Sequence, residues 1–303
     1  MTTFNIIKFS GNTTKTNQDW LNVEAQVSKC LSANRSPLVI VSSLKETVPV
    51  LEELIRFASQ ENNSSDTISA SDLKAKIDKF KEQYVKFAKQ LLNGEKISAW
   101  DNIFREIERL LLGISLTREA TPRLKARLIY LAQKLTSHLG YEYLKSHFSN
   151  KKVYLLEATS ALHTTSVADQ QSNQEYLEAS FATLQADLNL QNELSEYDIV
   201  ITQGGVAANS QNEPVLLGRD GSDVSAAALG LKLQAEKVDF WSNLPGFYTA
   251  DPHLIPSARL LRHLDYAEAQ ELASVGLPIV SPRAIFLLSE AHIPISVHCS
   301  EKP

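Results

Sequence analysis

Apolar residues follow two rhythms along this chain. Short unbroken runs, Phe4 to Phe9, Leu38 to Ser42, Lys152 to Leu156 and Tyr197 to Thr202, predict strands buried on both faces, as in a parallel sheet. Elsewhere apolar positions recur every three or four residues. Asp19 to Leu31 sets Trp20, Val23, Val27 and Leu31 on one helical face, and Thr47 to Ala58 turns Leu51, Leu54 and Ile55 inward. Asp72 to Leu92 carries Leu73, Ile77, Phe80, Tyr84, Phe87 and Leu91 and ends at Asn93-Gly94. Ala99 to Leu112 and Arg123 to Leu139 repeat the pattern, with Gly140 closing the second. Glu175 to Leu188 and the Ala- and Leu-rich stretch from Asp223 to Leu233 predict two more helices. Gln60 to Asp66 and Thr159 to Gln174 are polar and read as connections. Strand and helix alternate, which predicts an α/β layered fold with ligands at the carboxyl ends of the strands. Residues up to about 195 form an N-terminal lobe, and residues 196–303 a second one.

Composition narrows the class. A chain of 303 residues with 43% hydrophobic content buries a large core, and its net charge of -5 argues against general affinity for nucleic acid or an anionic membrane. Cys30 and Cys299 form neither a disulfide framework nor a metal-ligand cluster, which makes a reducing cytoplasm the default location. No segment has the apolar length of a membrane span, and the N-terminus lacks the pattern of a leader. His253, His263 and His292 have no helical ligand spacing, so no metal site is expected from them.

Chemistry concentrates in Leu217-Gly218-Arg219-Asp220-Gly221-Ser222-Asp223, a glycine loop between a strand and a helix. Gly221 allows close backbone approach, and Ser222 or Asp223 can cap the helix whose N–H groups point at the loop. Arg219 adds a planar cation suited to a carboxylate or phosphate. Lys8, at a strand end before Ser10-Gly11, offers a compact charge to phosphoryl oxygens.

That loop, with Trp241-Ser242-Asn243-Leu244-Pro245-Gly246-Phe247-Tyr248-Thr249-Ala250-Asp251-Pro252, resembles the aspartokinase branch of the amino-acid kinase family, whose patterns read roughly L-G-R-G-G-S-D and W-T-D-V-P-G-I-Y-T-x-D-P. Ile7-Lys8-Phe9-Ser10-Gly11 and Asp265 to Gly276 extend the resemblance through most of the chain; it is weakest between about residues 60 and 110. It implies a three-layer αβα sandwich with a mainly parallel central sheet. It also implies transfer of the ATP γ-phosphoryl group to the β-carboxylate of L-aspartate, giving 4-phospho-L-aspartate, with Mg²⁺ bridging the phosphates. In the family that product leads on to lysine, threonine and methionine.

The resemblance carries roles to individual positions. Lys8 stabilises the transferred phosphoryl group, with Asp223 as its catalytic companion. Ser42, Thr47, Gln133, Arg219 and Ser222 form the substrate site, Arg219 clamping the side-chain carboxylate. Gly11, Ser242, Asn243, Gly246, Tyr248 and Asp251 face the nucleotide, Tyr248 beside adenine and ribose. Gln133 falls on the Glu of a G-E-x-x-S motif reached by counting from Thr121-Pro122-Arg123, and Thr136 falls on its Ser.

Departures from the pattern cluster at phosphate and ammonium contacts: Ser10, Asn12, Gln133, Asp220, Asn243, His253, Pro278 and Ser281. Asp220 puts a carboxylate beside an anion site. These changes leave two other readings open, a kinase for another amino acid and a domain that binds a ligand or partner without turnover. The small ligand-binding (ACT) modules of aspartokinases do not fit before Pro303, and a homodimer stays open.

Overall fold

The computed structural model describes residues 2–59, 70–165, 172–250, 254–255, 257–275 and 279–299. The predicted residues Asp251, His253, Gly276 and Pro278, all of the Gln60 to Asp66 connection and residues 166–171 of the Thr159 to Gln174 one lie outside them.

The four apolar runs become strands of one sheet: β1 (Phe4–Phe9), β2 (Ser36–Val41), β3 (Val153–Leu156), at its edge, and β4 (Ile199–Gln203). A hairpin, β5 (Val206–Ala208) with β6 (Pro214–Leu216), stands outside it, while β7 (Lys237–Ser242) and β8 (Ile295–Cys299) extend it. The order is β3-β4-β2-β1-β7-β8, and every described pairing in it is parallel. The boundary near residue 195 does not divide this sheet, because β4 sits between β2 and β3.

Side chains alternate across β1, and that alternation sorts the molecule into layers. Ile7 and Phe9 join one core with α1 (Asn17–Ser32), α2 (Thr47–Ser59), α3 (Ala70–Leu91), α4 (Ala99–Thr117) and α5 (Pro122–His147). Phe4 and Ile6 join the other. There the sheet meets the short α6 (Ala158–Ala161), then α8 (Leu188–Leu194), α9 (Gly221–Lys232), α10 (Tyr266–Val275) and α11 (Pro282–Glu290). The fold is the expected three-layer sandwich. Lys8 lies on the same face of β1 as Phe4 and Ile6, which aims it at α9.

Three local expectations fail for identifiable reasons. Gly140 does not end α5, which continues to His147. A Cβ at Gly140 would lie 2.5 Å from Ile201 Cδ1 and 2.8 Å from Trp20 Cη2, so the glycine lets the helix press against strand and neighbouring helix. The helix expected over Glu175 to Leu188 is only α7 (Ser172–Leu177). Glu178 bridges to Leu217 and Ala179 N–H donates to Leu216 O at 2.9 Å, so extended pairing with the β6 end displaces helix. Asp187 then caps α8 through Leu190 N–H at 3.0 Å. Finally, neither Ser222 nor Asp223 caps α9: the cap residue is Asp220, in left-handed backbone with φ 54°, and its side chain caps nothing.

Candidate active site

The carboxyl ends of β1, β2, β4 and β7 converge, and the chain ties them together there. Ser42 N–H donates to Phe9 O at 3.2 Å and Gly204 N–H to Val41 O at 2.9 Å. The N-terminus of α9 stands over this edge because β4 ends in two glycines. A Cβ at Gly204 would lie 2.7 Å from Ser222 Cβ; Gly205, at φ 79°, donates through its N–H to Ser225 Oγ at 2.9 Å. Helix N–H groups and dipole are thereby aimed into the cleft, an arrangement that stabilises negative charge.

Lys8 and Asp223 form the centre. Lys8 Nζ lies 2.6 Å from Asp223 Oδ1, and both side chains are nearly buried, at 11% and 6% exposure. The other oxygen, Asp223 Oδ2, accepts from Ser281 N–H at 2.9 Å. Thus β1, α9 and the start of α11 meet on one carboxylate. Ser281, noted in the sequence only for what it replaces, contributes through its backbone.

Residues that the resemblance assigns to the site line a corner beside this pair. Gln133, on α5, is buried; among the described residues its Oε1 has no hydrogen-bond partner. Its Nε2 would lie 4.0 Å from a Cβ at Gly205, so the amide faces the glycine turn and the first residues of α9. Next to it, Lys134 Nζ pairs with Glu157 at 2.8 Å. Gln203 bridges Ser137 Oγ and Ala158 N–H, each at 2.8 Å, fixing α5 to the ends of β3 and β4. Ser42 is half-buried, with Oγ 3.4 Å from Phe9 O. Thr47 is buried, and its hydroxyl is engaged by Tyr84. Gly11 packs on the backbone of the Ser42–Thr47 loop: a Cβ there would lie 2.3 Å from Ser43 O, and Gly11 O accepts from Lys45 N–H at 3.2 Å.

Arg219 is not gathered into the corner. Its side chain is 88% exposed, and its Nε lies 3.8 Å from Asp220 Oδ2. Burial and the neighbouring Asp223 carboxylate push the Asp220 carboxyl above its ordinary range. A residue absent from the sequence reading holds this loop. Arg283, in the first turn of α11, donates to Leu217 O and, at 3.3 Å, to Arg219 O. Its position directly after Ser281-Pro282 was the available signal.

On the far side of β1 the chain turns at the end of β7. Ser242 Oγ accepts from Leu244 N–H at 3.3 Å, Asn243 is exposed, and buried Gly246 adopts φ 145°. Tyr248 is half-buried and pairs with Leu260, while Leu261 N–H donates to Phe247 O at 2.8 Å. A cavity of about 720 Å³ opens beside this turn, lined by Pro245, Gly246, Phe247, Tyr266 and Val280 among others; Tyr248 does not line it. Among the described residues no cluster of His, Cys, Asp or Glu is placed to hold a metal ion, and no helix is long and apolar enough to cross a membrane.

Comparison with known proteins gives the family and agrees with the fold. A model described as the amino acid kinase family matches residues 3–298. Lysine-sensitive aspartokinase 3 of Escherichia coli is 31% identical over 210 residues, 67% of this chain and 45% of that protein. A chloroplastic bifunctional aspartokinase/homoserine dehydrogenase of Arabidopsis thaliana is 27% identical across 97% of this chain and 31% of its own length. The chain therefore spans less than half of these curated relatives. The crystal structure of E. coli aspartokinase III in complex with aspartate and ADP superimposes with a TM-score of 0.79 at 23% identity, covering 99% of this chain and 62% of that one.

Proposed function

The chain belongs to the amino acid kinase family, and from that premise we propose that it transfers the γ-phosphoryl group of ATP to the β-carboxylate of L-aspartate. The observation that carries this reading is the buried Lys8–Asp223 pair beneath the N-terminus of α9, with Asp223 fixed from behind by Ser281 N–H. Phosphoryl transfer needs little covalent chemistry from a protein, and positioning plus charge neutralisation supply most of the rate. An aspartate carboxylate oxygen attacks the γ-phosphorus, the bond to the β,γ-bridging oxygen breaks, and ADP leaves with that electron pair. Lys8 offsets charge on the transferring group. Asp223 holds the ammonium in place, and the α9 N–H groups favour the anions on either side.

Aspartokinase names among the relatives, and the aspartate and ADP in one relative's crystal structure, support the choice of substrates. Gln133 would accept from the substrate ammonium and Arg219 would swing in to clamp its side chain. Ser242, Asn243, Gly246 and Tyr248 would border the nucleotide, with Asp251 beyond the turn. Mg²⁺ would arrive with the ATP phosphates and neutralise them. The first 195 residues supply most of the acceptor walls and the remainder the nucleotide side. With both cysteines free and buried, a reducing cytoplasm suits the chain.

ADP release from Mg-ATP, measured with and without L-aspartate, tests the proposal. Aspartate-dependent release is expected; none from folded protein overturns it. A second reading, ligand binding without turnover, draws on the outward Arg219, and it predicts thermal stabilisation by Mg-ATP in a protein that releases no ADP. Gln133→Glu is expected to lower the KM for aspartate about tenfold, since a charge-assisted bond to an ammonium is roughly twice as strong as a neutral one. Initial rates across an aspartate series check it, and a raised KM would remove the ammonium from this corner.

A further inference from the structure

The stretch where the family resemblance is weakest, α3 and α4, packs a box of aromatic rings against the acceptor corner. Tyr84 meets Phe80, Trp100 and Phe104 edge-on, with centroids 5.3, 5.7 and 6.2 Å away. This box makes two polar contacts with the walls of the site. Trp100 Nε1 donates to Leu135 O of α5 at 3.0 Å, two residues beyond Gln133. Tyr84 Oη lies 2.6 Å from Thr47 Oγ1, both groups buried, and it also faces Thr136 and the Leu44 backbone. Thr136 Oγ1 in turn accepts from Leu44 N–H at 3.2 Å. One phenol thus joins the Ser42–Thr47 loop to α5.

The loop needs such an anchor. Glu46 sits in left-handed backbone at φ 69°, a conformation that costs a non-glycine residue about 1 kcal/mol or more and persists only where its surroundings impose it. Gly11, in the loop after β1, presses directly on Ser43 and Lys45. A shift of the Ser42–Thr47 loop would therefore disturb both the acceptor wall and the approach to Lys8.

We propose that Tyr84 is a positioning residue for the acceptor: its hydroxyl, held rigid by the aromatic box, sets the Ser42–Thr47 loop against α5 and so shapes the wall that receives the phosphoryl acceptor. The proposal rests on the kinase reading above and assigns a role to a residue which the resemblance leaves blank. Burial pushes the pKa of this phenol up to about 12. The ring gives apolar contact that Phe would keep, while the hydroxyl gives orientation that Phe would lose.

Tyr84→Phe separates the two. The expected result is an aspartate KM raised about tenfold, with kcat and the KM for ATP within twofold of wild type and little change in Tm. Phe104→Leu, which loosens the same box without touching the loop, should lower Tm and leave the ratio of the two KM values unchanged. An unchanged aspartate KM in Tyr84→Phe, or equal rises in both KM values tracking Tm, overturns the proposal. If wild-type protein shows no aspartate-dependent turnover, the kinase reading fails separately. Tyr84 is then judged by amide hydrogen exchange: at least tenfold faster exchange at Leu44 and Thr47 in Tyr84→Phe, with α5 unaffected, supports positioning, and unaltered exchange overturns it.

Discussion

Lys8→Met should cut kcat by about 10²–10³-fold or more while also destabilising the protein by about 3–5 kcal/mol. The two losses share one cause. Lys8 and Asp223 are both nearly buried and 2.6 Å apart, so removing the ammonium leaves a carboxylate with Ser281 N–H as its remaining close donor. A buried charge without its partner is among the more damaging single changes in a folded protein, whereas replacing both members by apolar groups is often close to neutral. Lys8→Met/Asp223→Leu is therefore expected to recover most of the stability and none of the turnover. Urea denaturation midpoints and kcat for the two single variants and the double variant complete the cycle. Wild-type turnover in Lys8→Met would remove the lysine from the reaction, and a double variant no more stable than Lys8→Met would show that the pair is not what the stability depends on.

Arg219→Ala should behave in the opposite way, leaving stability alone and destroying acceptor binding. Its guanidinium is 88% exposed and 3.8 Å from Asp220, a surface pair of the kind that contributes little. Tm should move by no more than about 1 °C, given so small a change in free energy. Aspartate KM should rise about 100-fold, the scale of about 3 kcal/mol for a lost bidentate carboxylate contact. The exposed side chain has to turn inward for this, and the loop that carries it is already fixed by Arg283 through Leu217 O and Arg219 O. Closing the site would thus require a rotamer change on a fixed backbone, not a loop rearrangement. Calorimetry beside initial-rate kinetics decides: an unchanged aspartate KM would take Arg219 out of the site, and a collapsed Tm would mean its role is structural.

Strands β1 to β4 and the long helices were legible because those strands are short apolar runs and those helices keep their stripe, whereas β7 and β8, with Lys237, Asp239 and His298 among their residues, gave no such run. Phe4 to Phe9 and the Leu73-to-Leu91 face appear where the pattern put them. What escaped the pattern was set by distant backbone. Nothing near Ala179 in sequence announces that its N–H will meet Leu216 O, and a stretch able to coil pairs instead. Gly140 looked like a stop signal because a missing side chain reads the same whether it ends a helix or admits a neighbour; only Trp20 and Ile201 decide between them. The site divides likewise. Position in motifs singled out Lys8, Asp223, Ser222 and Gln133, and the structure brings them to one edge. Ser281 acts through an N–H that every residue but proline possesses, and Tyr84 reads as one more core aromatic until its hydroxyl is seen against Thr47.

The sheet order also bears on how the chain is made. β1 is central, flanked by β2 and β7, and Asn5 Nδ2 donates to Asp239 Oδ2 across 234 residues of sequence. At ribosomal rates of about 5–20 residues per second, the first strand waits on the order of tens of seconds for its second neighbour. Throughout that interval the apolar edge of Phe4–Phe9 has only β2 beside it, a long-range closure of the kind that folds slowly and invites wrong pairings. The same geometry that buries Lys8 between distant segments leaves one edge of β1 unpaired until β7 has emerged.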